Sequence, residues 1–365
     1  MIVQARNVVL DNQLAKDLWI EVAQGRITAL SHGVHAAPDR VIEGVLIPGF
    51  IDIHCHGGGG SYFSENSVAE IEKVIATHRR LGTTGIMASL LTESIEDLKN
   101  QIQRLIPFFV RGEILGIHLE GPYLSHARCG AHEPSLLLEP KINQLQELIS
   151  IGEGAIQMVT IAPELNGALE AIKFLSQKGI KVAIGHTDGN YSDAAAGTDS
   201  GATIVTHFLN AMSKERADKS IANFVLNDER ISVELILDGH HVPFETASEI
   251  LNTIGSRVIL VSDAMAAAGC ADGEYVIGKL PVQVQEGVAR LASNSKLAGS
   301  TITLSQSFIN AIHTCGVSLV HAVRMASTNP AHALGITDRG AIKVGMRADL
   351  LEYLPDEKTV SLINL

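Results

Sequence analysis

His54 and His56 stand two residues apart after the apolar run Phe50-Ile51-Asp52-Ile53, and endings of this kind recur along the chain. Ile114-Leu115-Gly116-Ile117-His118-Leu119 leads to Glu120, and Val182-Ala183-Ile184-Gly185 leads to His186. Ile204-Val205-Thr206 leads to His207, and Val258-Ile259-Leu260-Val261-Ser262 leads to Asp263. Neutral imidazoles with carboxylates, and no thiolate cluster, suit Zn²⁺ or a similar divalent ion. Such an ion lowers the pKa of water toward ~7, and a nearby carboxylate can take its proton and pass it to a leaving amine. This pattern predicts a divalent metal and a hydrolytic water, with Asp263 as general base and then acid. Glu120 is expected to bridge two ions or hold one. Taken singly, each histidine reads as an ordinary hydrogen-bonded residue. Asp263 alone reads as a helix N-cap before Ala264-Met265-Ala266-Ala267-Ala268, which is compatible with catalysis. The argument rests on their joint occurrence.

The elements that must position these groups follow from the pattern. A short apolar run closed by a turn signal is a buried strand. Period-2 geometry points His54 and His56 the same way and turns Cys55 to the opposite face. Eight strand candidates lie near 46–53, 83–90, 114–119, 157–162, 181–185, 203–206, 232–237 and 258–262, separated by helical patterns such as Val68 to Ile75. Eight strands alternating with helices predict an α/β fold, a (β/α)8 TIM-like barrel with its site at the strand C-termini. Two helices, near 302–315 and 318–328, are expected after the last strand. Short alternating runs at both chain ends predict a small β-sandwich from residues 1–46 and 340–365, with the barrel spanning 47–339. No lysine ends a barrel strand, and the fourth closes on Thr160-Ile161-Ala162-Pro163-Glu164, which argues against hydrolases that bridge two ions with a modified lysine.

Composition sets outer limits. Hydrophobic content of 46% with 19% charge fits a well-packed globular enzyme. A net charge of −12 argues against a nucleic-acid partner. No apolar run approaches the ~20 residues of a membrane span. Cys55, Cys129, Cys270 and Cys315 show no paired spacing and, without a secretory signal, read as reduced thiols of a cytoplasmic protein. Cys129 is kept as a loop residue. His32, His35, His78, His126, His313, His321 and His332 fall away from strand ends and are expected to be structural or solvated.

Several motifs together resemble the N-acetylglucosamine-6-phosphate deacetylases of the amidohydrolase superfamily. They are Gly116-Ile117-His118-Leu119-Glu120-Gly121-Pro122-Tyr123, Gly185-His186-Thr187, Thr206-His207-Phe208-Leu209-Asn210-Ala211-Met212, Asp238-Gly239-His240-His241-Val242, Ser262-Asp263-Ala264-Met265 and Leu297-Ala298-Gly299-Ser300-Thr301. The resemblance implies removal of acetyl from a 2-acetamido sugar phosphate. It implies Glu120, His186 and His207 as ligands of the main metal, with His54 and His56 adding a second ion. It implies His241 at the acetamido carbonyl, stabilising the oxyanion, and sugar contacts from Ala131, His132, Asn210 and Ala211. His118 shares a face with Glu120 and is expected beside the ligands; His240 is expected to be structural. A homodimer is also implied.

One segment departs from the family. Where relatives carry an arginine that reaches a substrate phosphate across a dimer interface, an ungapped count places Asp218. An Asp repels phosphate. Arg216 and Lys219 are the expected replacements after a small loop shift; alternatively the substrate carries no phosphate, or carries it elsewhere. The rivals are the same chemistry on N-acetylgalactosamine 6-phosphate or an unphosphorylated N-acetylhexosamine, ring deamination releasing ammonia, and a non-catalytic scaffold. The last conflicts with retention of every ligand.

Overall fold

The computed structural model describes residues 1–365 apart from Asp11, Glu215 and Arg216. The expected apolar runs are parallel strands: Phe50–Asp52, Thr83–Leu90, Gly116–Glu120, Ile156–Ile161, Lys181–Ile184, Ile204–Val205, Ser232–Ile236 and Val258–Val261. Each pairs with its neighbour in chain order, giving the expected eight-stranded barrel among the described residues. The first and eighth strands meet just beyond their ends. There the Asp263 amide donates to His54 O at 2.8 Å and the His56 amide to Ala264 O at 3.0 Å. Buried Asp52 Oδ1 accepts the amides of His54 (3.2 Å) and Ser262 (3.3 Å) in the same seam. Burial pushes the Asp52 carboxyl up to about 7 against those hydrogen bonds. Barrel closure and the strand end that carries His54 and His56 are therefore one structure.

Helices cover the outer face. Val68–Arg80 turns Ile71 and Val74 inward, and Ile95–Val110 turns Leu98, Ile102 and Leu105 inward, the 3–4 residue spacing of an amphipathic helix. Ser94 Oγ caps the second by accepting the Asp97 amide at 3.1 Å. Inside the barrel, Ile51, Met87, Met158, Ile204, Ile236 and Ile259 form a second core. The helix Asn329–Leu334 contributes Ala331 to it, and Asn329 Nδ2 donates to Val258 O at 2.7 Å. Leu304–His313 and Leu319–Val323 occupy the two helical stretches expected after the last strand.

The two chain ends meet, as expected, in β structure. Six strands form one hydrogen-bonded sheet in the order Thr359–Leu362, Leu350–Leu354, Arg40–Pro48, Ile2–Leu10, Gln13–Ala23, Arg26–His32. Its pairs are antiparallel except Ile2–Leu10 with Arg40–Pro48, which is parallel. The candidate 46–53 is two strands divided at Gly49, where a Cβ would lie 2.1 Å from Thr84 Oγ1. Only glycine lets sheet and barrel approach so closely there. An element not anticipated is the antiparallel meander Gly273–Ile277, Leu280–Gln285, Val288–Leu291, inserted after the eighth strand.

Phe308, on the helix Leu304–His313, joins barrel and terminal sheet. It is fully buried, with ring centroids 5.0 Å from Phe50 of the barrel and 5.2 Å from Tyr353 of the terminal sheet. Phe308→Ala should cost about 3–5 kcal/mol of unfolding free energy, read by denaturant titration. A loss under about 1 kcal/mol would show that sheet and barrel do not share this core.

Candidate active site

The C-terminal strand ends bring the predicted ligands together. His54 and His56 are buried and point the same way, while Cys55 turns toward His78, its Sγ 3.3 Å from Nε2. Glu120 is the last residue of its strand. His186, His207 and Asp263 follow their strands with φ of 47°, 26° and 47°, left-handed values that L side chains rarely adopt. Each such turn costs roughly 1–3 kcal/mol and persists only where its surroundings over-determine it. The supports are visible: Asp263 N bonds His54 O, and His207 N donates to Glu234 Oε2 at 3.1 Å. Gly130, at φ +61°, lets a loop press on His186, whose Cε1 would lie 3.0 Å from a Cβ there.

Glu120 is the centre of the cluster. Its Oε1 lies 3.1 Å from His186 Nε2 and 3.0 Å from His207 Nε2, and its Oε2 lies 3.0 Å from His56 Nε2. Asp263 Oδ1 is 3.5 Å from His54 Nε2 and 3.3 Å from His56 Nε2. On their outer sides the rings meet pure acceptors. Nδ1 of His54 faces Glu234 Oε2 at 2.9 Å, that of His56 faces Ser89 O at 3.1 Å, and that of His186 faces Arg128 O at 2.9 Å. Those protons must sit on Nδ1, so each neutral ring aims an Nε2 lone pair inward. His54 and His56 Nε2 are 3.2 Å apart, and His186 and His207 Nε2 are 3.0 Å apart. The lone pairs of His54 and His56 thus face each other and the Glu120 and Asp263 carboxylates, an arrangement that needs a cation between them, and the donor set fits a divalent metal.

Charge in the cluster follows from this crowding. Burial lowers the His54 pKa, but Glu120, Glu234 and Asp263 outweigh it and hold the ring well above the usual range. Burial likewise opposes the rise at His56, which hydrogen bonds to Asp263 and Glu120 push up to about 9. Burial would raise the carboxyls of Glu120 and Asp263; the His54 charge and histidine hydrogen bonds hold both well below the carboxylate range. Protons thus occupy the place a metal would take. His118 stays neutral: burial and the His54 charge drive it well down, and its nitrogens are taken by Ser89 Oγ (3.0 Å) and Thr160 Oγ1 (2.8 Å). It packs edge-on against the His54 ring, 4.7 Å between centroids, and is not a ligand.

A cavity of about 140 Å³ opens over the cluster. His241 and Asp263 line it together with Ala131, His132, Asn210 and Ala211. Leu91, Leu297 and Ile277 of the meander form an apolar wall. His132 differs from the ligands in tautomer. Its Nδ1 accepts the Thr92 amide at 3.3 Å, so its Nε2 carries the proton and donates to Glu120 Oε2 at 3.4 Å. Burial lowers its pKa to about 4. His241 donates from Nδ1 to Asp238 Oδ2 at 2.6 Å, and Asp238 Oδ1 accepts the amides of His240 and His241 at 2.8 and 2.9 Å. His240 itself is exposed. Lys219 is exposed and not part of the cavity wall, Asp218 is exposed, and Arg216 lies outside the described residues. Lys214, which the sequence reading did not name, places Nζ 3.5 Å from His241 O. Asp238 and Glu234 were also missed. The Asp-x-x-His spacing could have flagged Asp238, whereas Glu234 is one polar residue in an apolar strand.

Glu120→Ala should abolish tight metal binding, read as metal per chain after dialysis; unchanged content would remove Glu120 from the ligand set. The raised histidine pKa values also set a pH dependence in the metal-free protein. Stability drawn from His56 is complete below about pH 6.5, the unfolded-state value, and is lost as pH rises through about 9; His54, also raised, adds to it in the same direction. Chelated protein should therefore melt lower at pH 9.5 than at 6.5 by more than metal-replete protein does. An equal pH response of the two forms would contradict the proton-for-metal exchange.

The amidohydrolase family model matches residues 45–356. An N-acetylgalactosamine-6-phosphate deacetylase of Escherichia coli O157:H7 is 32% identical over 96% of this chain and 94% of its own length. An N-acetylglucosamine-6-phosphate deacetylase of Vibrio furnissii is 32% identical over 98% of this chain and 92% of its own. An alanine variant of N-acetyl-D-glucosamine-6-phosphate deacetylase from Mycobacterium smegmatis, solved with N-acetyl-D-glucosamine-6-phosphate, superposes with a TM-score of 0.96. It is 40% identical, and the match covers 100% of this chain and 97% of that one. The chain belongs to the amidohydrolase family, among its N-acetylglucosamine-6-phosphate deacetylases.

Proposed function

We propose that this enzyme hydrolyses the acetamido bond of N-acetylglucosamine 6-phosphate to glucosamine 6-phosphate and acetate. The observation that carries this reading is the convergence of Asp263 and His241 on one cavity above the inward-facing ligand nitrogens. We assign zinc, in one or two ions, held by His54, His56, Glu120, His186 and His207. When bound, the metal supplies a water acidified toward neutrality and polarises the carbonyl. The cellular setting we assign is a cytoplasmic homodimer in amino-sugar catabolism.

The chain's own groups complete the chemistry. Asp263, ionised and beside the cluster, accepts the proton of the attacking water and returns it to the sugar nitrogen as the C–N bond breaks. His241 faces the carbonyl oxygen through Nε2. The Asp238 carboxylate at its Nδ1 stabilises the imidazolium needed for Nε2–H to donate to the developing oxyanion. His132 and Asn210 hold the sugar, with the Ala131 and Ala211 backbone. For the phosphate, we name as candidate cations Arg216, Lys219 and Lys214, the last with Nζ 3.5 Å from His241 O.

A second reading keeps the chemistry and changes the sugar to N-acetylgalactosamine 6-phosphate. It is favoured by the Escherichia coli relative, which matches as well as the Vibrio one. Acetate release should be measured on both sugar phosphates and on unphosphorylated N-acetylglucosamine. Preference for the first substrate is expected. Equal rates with and without phosphate would remove the phosphate from the assignment, and ammonia in place of acetate would point to ring deamination. Asp263→Asn should lower kcat by about 10²- to 10⁴-fold with metal content unchanged. Full turnover in that variant would exclude Asp263 as base.

A further inference from the structure

Glu234 is fully buried on the seventh barrel strand, and the reaction as described does not use it. Its Oε2 accepts from His54 Nδ1 at 2.9 Å and from the His207 amide at 3.1 Å. Its backbone carbonyl accepts the Phe208 amide at 2.8 Å. One residue therefore holds a ligand from the first strand, reached across the eighth, and the left-handed turn that presents a ligand from the sixth. We propose that Glu234 is a positioning residue of the metal centre, fixing His54 as the Nδ1–H tautomer and locking His207 in register with it.

The choice of a carboxylate carries the argument. A buried charge is costly unless paired, and Oε1 of Glu234 has no hydrogen-bond partner among the described residues. Packing alone would be served by an apolar side chain, and a hydrogen bond alone by glutamine. A carboxylate adds negative charge behind the imidazole. That raises the basicity of Nε2 and is repaid only when the ring faces a cation. Were Glu234 absent, His54 could carry its proton on Nε2, and that proton would point at His56 and Glu120 instead of a lone pair. The inference rests on the ligand reading of His54 and His207.

The test uses the full chain with Glu234→Gln, Glu234→Ala and, as reference, His54→Ala. Chelator competition with Zn²⁺ gives stoichiometry and affinity, and Co²⁺ substitution gives a visible spectrum. Wild type should hold about two ions per chain and His54→Ala about one. Glu234→Ala should weaken the more loosely held ion about 10- to 100-fold with a changed Co²⁺ spectrum. Glu234→Gln should fall between, because its amide oxygen can still accept from His54 Nδ1. Glutamine also preserves volume and keeps the test valid if the alanine variant fails to fold. Wild-type affinity and spectrum in Glu234→Gln would overturn the proposal. So would weaker binding in Glu234→Ala with an unchanged Co²⁺ spectrum and a lower melting temperature of the metal-free protein, the mark of a purely structural role. If His54→Ala retains both ions at wild-type affinity, the ligand reading itself fails and the role of Glu234 falls with it.

Discussion

The whole arrangement turns on one electrostatic constraint: buried nitrogen lone pairs and carboxylate oxygens are forced to face each other. Left alone, such a cluster is costly, because neutral imidazoles cannot hydrogen-bond lone pair to lone pair. Protons relieve it in the metal-free chain, which is why His56 rises to about 9 while Glu120 and Asp263 fall. A divalent ion relieves it better. The outer acceptors Ser89 O, Arg128 O and the Glu234 carboxylate prevent escape by ring flip or tautomer change. The left-handed residues at His186, His207 and Asp263 concentrate backbone strain where the cation would restore stability.

Around that centre the barrel separates charge by burial. His118 and His132 sit within contact of the cluster yet remain neutral, one held by two hydroxyls and the other donating to Glu120. They add no positive charge to compete with an ion. His241 is kept at the rim by its partner Asp238, which is on the loop after the seventh strand, so the pair stands apart from the central cluster. The meander closes the cavity with Ile277, an apolar wall that limits water near the reacting bond.

Much of this was legible in the sequence. The eight strand candidates lie at the observed strands because buried parallel strands are short apolar runs, and the His, Glu and Asp that close five of them marked the end where these groups converge. The alternation of His54 and His56 fixed their shared face. The meander could also have been read: Val282-Gln283-Val284-Gln285 alternates and Glu286-Gly287 is a turn, with φ of 52° and 72°. What could not be read was set by tertiary contact. Two of the outer acceptors are backbone carbonyls, which any residue supplies. The left-handed turns at non-glycine positions are held by contacts from distant strands, as Asp263 N is by His54 O and His207 N by Glu234. Glu234 acts on residues 180 positions earlier and 27 earlier, distances no local pattern carries.

The most direct test is acetate release from N-acetylglucosamine 6-phosphate by fully chelated protein as Zn²⁺ is added stepwise. The account predicts no turnover without metal and recovery that saturates near one or about two ions per chain. Undiminished acetate release from protein verified to be metal-free would contradict it.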